Sequence, residues 1–299
     1  MELIATVLVA LLVILAVALS TLAERKVMGA MQRRIGPKKV GVIGLLQPIA
    51  DGLKLMLKES VVPLSSTFWL FRLTPYIGFV LALVNWLVLP LDSGLALSEL
   101  PAAGLLILIA ISELSIYSVI LSGWSANSKY PLLGSLRSTA QMISYSITLS
   151  LIILSVASVL GTINLLHFMI DHHLVLPLFP LAILFAISAV AETNRAPFDL
   201  PEAESELVAG FFTEHSAVTF ASFFLAEFTN ILAISTLFMV LFFGLSIAWF
   251  LPFFTYILWI RASLARLRFD QLLDLGWKSF LPFTIPFFIF LISFLSLAF

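Results

Sequence analysis

Charge is scarce in this sequence, and cysteine is absent. Asp, Glu, Lys and Arg make up 11% of the 299 residues, whereas a soluble domain keeps about a quarter of its residues charged. With 61% hydrophobic residues and a mean hydropathy of +1.11, the composition predicts an integral membrane protein. The lack of cysteine excludes a disulfide, a Cys-ligated metal and an iron–sulfur cluster carried by this chain. The net charge of -1 gives no basic surface for nucleic acid.

The amino-terminal segment MELIATVLVALLVILAVALSTLAERK shares an apolar run with signal peptides. It has Glu2 where a signal peptide has positive charge, and its apolar run is too long for a signal-peptide core. We therefore expect a retained first membrane helix.

Eight segments are long and apolar enough to span a bilayer, which takes about 20 mainly apolar residues. The block 217–260 is expected to hold two of them, with a tight connection near Gly244. The predicted spans are 3–22, 72–91, 102–122, 138–160, 176–192, 217–238, 242–260 and 281–298. The predicted fold is therefore all-α, with a single integral membrane domain over residues 1–299.

The basic residues predict the orientation of these spans, because Lys and Arg collect on the cytoplasmic or matrix side. All 16 of them lie in or at the edge of the odd-numbered connections, at about 24–71, 123–137, 193–216 and 261–280. The even-numbered connections hold acids and no basic residue. The pattern predicts eight spans with both termini on the outer side.

The first inner connection contains the amphipathic segment GLLQPIADGLKLMLKE at 44–59. One helical face carries Leu45, Leu46, Ile49, Leu53 and Leu57, and Asp51, Lys54 and Lys58 lie elsewhere. This pattern predicts a helix that lies at the membrane interface.

Three acids are predicted within or at the ends of spans, namely Glu113, Glu192 and Glu227. A carboxylate at mid-membrane costs on the order of 2.5–3.5 kcal/mol, so each is expected to face protein or water. One interpretation is a proton relay, and the other is an acid that hydrogen-bonds a neighbouring helix.

The stretch ETNRAPFDLPEAESELVAG, residues 192–210, is the most acidic part of the chain. The Pro197 ring disfavours helix at the residue before it, and Asp199 with Glu202 has the spacing of a capping box. Seven of the 17 acids fall between residues 192 and 227. Clustered carboxylates that are partly desolvated can exchange protons near working pH, but a solvated acidic loop is an equal alternative.

A basic cluster, ERKVMGAMQRRIGPKKVG, occupies residues 24–41. Basic residues just inside a span are typical topology signals and lipid-headgroup contacts. Arg25 and Arg34 are less easily explained in this way because they accompany Glu24 at the helix end.

Three long motifs now carry a resemblance: ERKVMGAMQRRIGPKKVGVIGLLQPIADGLKL, SGWSANSKYPLLGSLRSTAQMISY and AETNRAPFDLPEAESELVAGF. From about residue 10 to Lys278 the chain resembles subunit 1 of NADH:ubiquinone oxidoreductase, the proton-pumping respiratory complex I. The resemblance implies a translocase subunit in the membrane arm. The compact length of the chain favours a mitochondrial inner membrane, with a bacterial plasma membrane as the alternative. The resemblance implies contacts with lipids, with other membrane-arm subunits, and with peripheral-arm subunits that carry the terminal iron–sulfur cluster and the quinone headgroup site. Ubiquinone is then the shared substrate, with no NADH, flavin or metal bound by this chain.

The resemblance also implies roles for individual residues. Those implied to line the quinone channel are Glu24, Arg25, Arg34, Phe224 and Phe228, although an aromatic stripe is more often packing. Those implied for the proton path and its coupling are Asp51, Glu113, Tyr145, Glu192, Asp199, Glu202, Glu204, Glu206, Glu214 and Glu227.

One position departs from the family pattern. The family usually has glutamate after the tyrosine of AQMISYS, where this chain has Ser146, and it usually has a small residue where this chain has Glu113. Both positions lie roughly 12–14 Å deep at 1.5 Å per residue. We hypothesise that the carboxylate has moved from the fourth span to the third at the same depth.

Two other functions remain as alternatives. A secondary transporter or channel subunit would use the buried acids as ion ligands and would show broken spans in two matching halves. A structural anchor would use the acids only as caps and loop charges.

Overall fold

The fold is a bundle of helices, described by a computed structural model over residues 2–90, 103–169, 174–199, 210–244 and 247–298. All regular secondary structure in these ranges is helical. The helices are α1 Glu2–Met31, α2 Gln47–Leu57, α3 Phe68–Val88, α4 Gly104–Ala126, α5 Lys129–Leu160, α6 Phe179–Glu192, α7 Ala217–Phe243, α8 Ile247–Ser263, α9 Phe269–Asp274 and α10 Leu281–Ala298. Within the described ranges, six helical segments are long and apolar enough to cross a membrane. The chain is therefore a multi-pass helical membrane protein.

Backbone hydrogen bonds show which helix termini lie together. The amide of Thr67 donates to the carbonyl of Ser125 at 3.0 Å, so α3 begins where α4 ends. The amide of Leu267, after α8, donates to Pro197, after α6, at 3.0 Å. We call this end of the bundle, marked by Thr67, Ser125 and Pro197, the site end. It corresponds to the predicted inner side.

The opposite end of the bundle is marked by one contact between α7 and the segment before α6. The amide of Leu174 donates to the carbonyl of Phe242, near the end of α7, at 3.1 Å. We call it the far end. Helices α6 and α8 therefore both run from the far end to the site end.

The predicted inner loops at 24–71 and 123–137 were too long. Helix α1 continues to Met31, because Arg and Lys are good helix formers and do not end a helix. Helix α5 begins at Lys129, and only Asn127 and Ser128 separate it from α4. Asn127 makes this turn with a left-handed φ of 51°, which asparagine tolerates better than most residues.

The predicted count of eight spans is not confirmed, because the described residues contain six helical segments of sufficient length. The fifth predicted span begins at Phe179 instead of residue 176, and α6 has 14 residues. The Pro177 ring disfavours helical geometry at Leu176, the residue before it. Pro180 lies in the first turn of α6, where a missing amide hydrogen is tolerated. The block 217–260 does divide as predicted, at Gly244 with φ of 70°, but α8 has only 17 residues.

The predicted interfacial helix is present as α2, and the last predicted loop is largely helical. None of the residues of α2 is buried, and Ile49, Leu53 and Leu57 expose an apolar stripe. The predicted loop at 261–280 contains α9 and a π-helical turn, Leu275–Phe280, that leads directly into α10. The chain between Phe269 and Leu281 contains no proline and one glycine, Gly276, which lies in the π-helical turn.

Small residues set the seam between α3, α4 and α5. A Cβ added at Gly78 would lie 2.9 Å from the Ser118 hydroxyl, and one added at Gly123 would overlap the Ser135 side chain. In a membrane, where helix association depends on close packing, small residues allow such approach. Each serine hydroxyl is satisfied by a carbonyl of its own helix, so it can be buried.

Candidate functional site

A buried ion-pair cluster lies at the site end, and Arg195 is its centre. Its Nη1 donates to Glu24 Oε1 at 3.2 Å, and its Nε lies 2.7 Å from Glu227 Oε1. Its guanidinium carbon lies 4.5 Å from the centre of the Phe228 ring. The exposed fractions of the Arg195, Glu24 and Glu227 side chains are 6%, 7% and 17%. One cation thus holds two carboxylates and an aromatic face away from water.

A second cation completes the charge balance of this cluster. Arg261, in the last turn of α8, pairs with the same Oε1 of Glu24. Glu24 and Glu227 are therefore matched by Arg195 and Arg261. Buried charges are tolerated when they are paired in this way, and removal of one partner from a buried pair typically costs about 3–5 kcal/mol.

The backbone around Arg195 is fixed by α5 and by the segment after α8. Helix α6 ends at Glu192, and Asn194 takes a left-handed φ of 51°. The side-chain amide of Gln141 donates to the carbonyls of Ala191 at 2.6 Å and Phe198 at 2.8 Å. Gln141 thus joins the two sides of the break, which holds Arg195 toward α1 and α7.

Asp199 lies beside this break and pairs with Arg266. The distance from Arg266 Nη2 to Asp199 Oδ2 is 3.1 Å, and the Asp199 side chain is 9% exposed. Its predicted capping partner Glu202 lies outside the described residues, as do Glu204 and Glu206. The capping box therefore stays a prediction, and the structure shows Asp199 in an ion pair with Arg266.

A cavity of about 70 Å³ connects the cluster with the interior of the bundle. Glu192, Asn194 and Glu227 line it, together with Phe211 and Phe223. The Glu192 Oε2 atom is buried and has no hydrogen-bond partner in the part of the chain that the structure describes. The cavity is thus lined by both polar and apolar side chains, and two of the polar ones are carboxylates.

Glu113 is close enough to Glu192 for the two carboxylates to interact electrostatically. Ser146 is buried, and its hydroxyl donates to the carbonyl of Ile143 at 3.1 Å. Glu113 therefore lies near Glu192, the acid at the end of α6. That Glu113 takes over the role of an acid at position 146 stays a prediction.

Arg25 and Asp51, predicted for different roles, are bonded to each other. Their atoms lie 2.6 Å apart, with exposed fractions of 51% and 36%, and Gln47 donates to the other Asp51 oxygen at 3.0 Å. This pair ties α2 to the end of α1. Arg34 is exposed beyond it, so the basic residues of 24–41 do not enter the buried cluster.

The remaining predicted residues have structural partners. Tyr145 is fully buried and donates its hydroxyl to the carbonyl of Leu272 at 2.8 Å. Glu214 accepts a hydrogen bond from Ser128 at 3.3 Å. Phe224 packs against Phe228 with 5.0 Å between ring centres, which places an aromatic row on α7 next to Arg195.

Sequence reasoning missed Arg195, Arg261, Arg266 and Gln141 as site residues. The signal for Arg195 was present, because it is the only basic residue in the stretch 192–210. Arg261 and Arg266 come from a distant connection, and their approach depends on α8 returning to the site end. The predicted hairpin at Gly244 and the basic connection at 261–280 already indicated that return, but nothing in the sequence indicated which acids the two arginines pair with.

His215 was also missed, and its environment is unusual. Its ring stacks on Phe71 at 4.1 Å and meets Phe223 edge-on at 5.1 Å. Neither ring nitrogen has a hydrogen-bond partner among the described residues. Burial lowers the pKa of His215 to about 4, so the imidazole is neutral and acts as a flat packing group.

The fold and the site together define a class: a polytopic helical membrane protein with a buried, balanced ion-pair cluster at one end of its bundle. A family model described as NADH dehydrogenase matches residues 4–292. The chain belongs to this family. This match confirms the resemblance drawn from the three motifs. It also confirms the prediction that the chain is a subunit of an oxidoreductase of this kind.

Several relatives align along most of the chain. "NADH-ubiquinone oxidoreductase chain 1" of Hyaloraphidium curvatum is 56% identical over 286 residues, covering 94% of this chain and 95% of the relative. The protein of the same name from Chondrus crispus is 48% identical and covers 98% and 95%. An NADH-quinone oxidoreductase subunit from the bacterium Paramagnetospirillum magneticum is 48% identical and covers 91% and 85%.

Proposed function

We propose that this chain forms part of a ubiquinone channel at the site end and couples quinone reduction to proton translocation. The observation that carries the proposal is the position of Arg195 between Glu24 and Glu227. The resemblance assigns Glu24 to the channel and Glu227 to the chain of acids. One guanidinium therefore joins the two groups of residues that coupling requires.

The physical basis of the coupling is the fixed charge of arginine, which proteins do not deprotonate. Two unit charges about 4 Å apart interact by about 4 kcal/mol at an effective dielectric constant near 20. A change in charge or occupancy next to Glu24 therefore alters how strongly Arg195 holds Glu227. The effect is large enough to shift proton occupancy, since about 1.4 kcal/mol is a factor of ten.

From Glu227 the route continues through the cavity into the bundle. Glu227 and Glu192 line the same cavity, and Glu192 interacts with Glu113. The two protons that quinone reduction consumes, or the charge change that it causes, are passed along these acids. The electrons come from the peripheral-arm subunits that the resemblance implies.

We further propose eight spans, with termini on the intermembrane-space side of a mitochondrial inner membrane. The course of the two short helices supports the count. The amide of Leu178 donates to Leu174 at 3.0 Å, which extends α6 by a turn toward the far end, so 174–192 covers roughly 28 Å at 1.5 Å per residue. Helix α8 covers a similar interval between the same two ends. Protease access to tags at both termini, in intact mitochondria and in mitoplasts, tests the orientation.

The test of the coupling compares Glu192→Gln with Glu59→Gln in the intact complex reconstituted in lipid vesicles. Glu59 is exposed and lies outside the cavity, so its substitution is the matched control. We expect Glu192→Gln to lower both NADH-driven quinone reduction and proton uptake several-fold. Normal rates of both would favour the structural anchor, and normal quinone reduction with lost uptake would confine Glu192 to the proton path.

A further inference from the structure

A second cavity lies beyond the first, along the seam between α3, α4, α5 and α7. The two cavities share lining residues, namely Ser115, Met142, Glu192 and Asn230. On α7 their combined lining runs from Phe223 to Leu237, which is roughly 21 Å at 1.5 Å per residue. The seam therefore reaches from the site end across more than half of a bilayer core about 30 Å thick.

The polar lining of the second cavity offers acceptors to whatever occupies it. Asn85 Oδ1 and Glu192 Oε2 are buried and have no hydrogen-bond partner within the described ranges. Asn85 is 7% exposed. The hydroxyls of Ser112 and Ser115 donate to carbonyls of their own helix at 2.8 and 2.6 Å, so they turn only lone pairs to the cavity. An unsatisfied buried acceptor costs about 1–3 kcal/mol, which favours an occupant that donates hydrogen bonds.

The volume of the second cavity indicates which hydrogen-bond donor can occupy it. Its volume is about 40 Å³, whereas one water needs roughly 10–15 Å³ measured in the same way. It has room for about three water molecules and is too small for a quinone headgroup. Water supplies two donors per molecule, and a short file can serve both Asn85 and Glu192.

The end of the seam toward the far end is closed by apolar side chains. Leu89, Leu108 and Leu237 line the cavity there and are at most 7% exposed. The ring nitrogen of Trp86 donates to the carbonyl of Thr229 at 3.2 Å, which fixes α3 against α7 beside Asn85. A narrow hydrophobic constriction excludes water and ions until it widens.

We propose that the second cavity is a water site in which Asn85 and Glu192 accept hydrogen bonds from one short file of water molecules. The leucine constriction ends the file toward the far end. Glu192 then exchanges protons along α7 in the direction of the far end as well as with the acids at the site end. The role of this route in proton transfer rests on the proposed function, whereas the water site itself does not depend on it.

The test is a cryo-electron-microscopy map of the intact complex in lipid nanodiscs, at a resolution that shows ordered water elsewhere in the membrane arm. We expect separate water peaks within hydrogen-bond distance of Asn85 Oδ1 and Glu192 Oε2. A map without peaks in the second cavity, or with continuous density of an acyl chain or quinone tail, overturns the proposal.

The variant Asn85→Leu removes the acceptor with little change of volume. We expect the water nearest residue 85 to disappear from its map while the waters near Glu227 persist. Unchanged peaks in this variant would overturn the assignment of Asn85. If the variant does not assemble, the wild-type map still decides. Water peaks together with normal catalysis in Glu192→Gln would retain the water site and reject the proposed function.

Discussion

Replacement of Arg195 by Gln is the sharpest perturbation of this protein. It removes the ion pairs to Glu24 and Glu227 and the stacking on Phe228. Breaking a buried pair costs about 3–5 kcal/mol, and a desolvated cation–π contact contributes about 2 kcal/mol. We expect quinone reductase activity to fall at least tenfold and its thermal-inactivation midpoint to drop by several degrees.

The accompanying variants separate charge from geometry. Arg195→Lys keeps the charge, but a single ammonium cannot reproduce the fork that reaches both carboxylates, so we expect intermediate values. Lys278→Gln is the control, because its pair with Asp274 is 74% and 60% exposed and exposed pairs contribute about 0–1 kcal/mol.

A double-variant cycle tests whether Arg195 and Glu227 act as a unit. When both charged groups are removed, neither leaves an uncompensated partner. Arg195→Gln with Glu227→Gln is therefore expected to cost less than the sum of the single changes, by at least about 1 kcal/mol. Additive effects, or a single Arg195→Gln variant with wild-type rate and midpoint, would refute the argument.

Three further predictions concern other parts of the bundle. His215→Phe should remove a loss of stability at low pH. In the unfolded chain the His215 imidazole binds a proton below its ordinary pKa near 6.5, whereas in the folded protein burial lowers this pKa to about 4. The unfolded state therefore binds more protons between these values, and the free energy of unfolding falls as the pH drops, by about 2 kcal/mol at pH 5. Inactivation midpoints at pH 5 and pH 7 should thus converge in the variant. Glu113→Gln should lower proton uptake, and adding Ser146→Glu should restore it; no rescue would reject the relocated carboxylate. Gly134→Ala should lower the midpoint because its Cβ would lie 2.7 Å from backbone at residue 210, whereas Gly52→Ala, with open space around it, should not.

The helical class could be predicted from the sequence because it depends on local composition. The assignment of the basic connections to an inner side rests on the same kind of signal and stays a prediction. Long apolar runs and the positions of Lys and Arg need no knowledge of packing. Helix ends were less predictable. Charged residues near Met31 and Lys129 suggested loops, whereas Arg and Lys continue a helix readily when the side chain reaches water.

The acids of the site could be predicted from the sequence, but the arginines with which they pair could not. Glu24 and Glu227 were assigned to different groups, and only the three-dimensional structure brings them to one arginine. Likewise, the aromatic row on α7 is visible in the sequence, but its contact with Arg195 depends on the break after Glu192. Contacts between residues so distant along the chain, such as Glu24 and Arg195, leave no local signal.

The placement of cations divides the acids into two kinds. Glu24, Glu227 and Asp199 are paired with arginines. Two of these arginines, Arg261 and Arg266, lie in the last turn of α8 and in the segment after it. Glu192 makes no ion pair among the described residues, and it interacts electrostatically with another acid, Glu113. Paired acids fix the shape of the site end, since their charges are compensated where they stand. An acid without a cation, in a cavity large enough for water, is free to change its proton occupancy without breaking the structure. The same division explains why substitution of Arg195 should lower both stability and activity, whereas substitution of Glu192 should lower quinone reduction and proton uptake without lowering the thermal-inactivation midpoint.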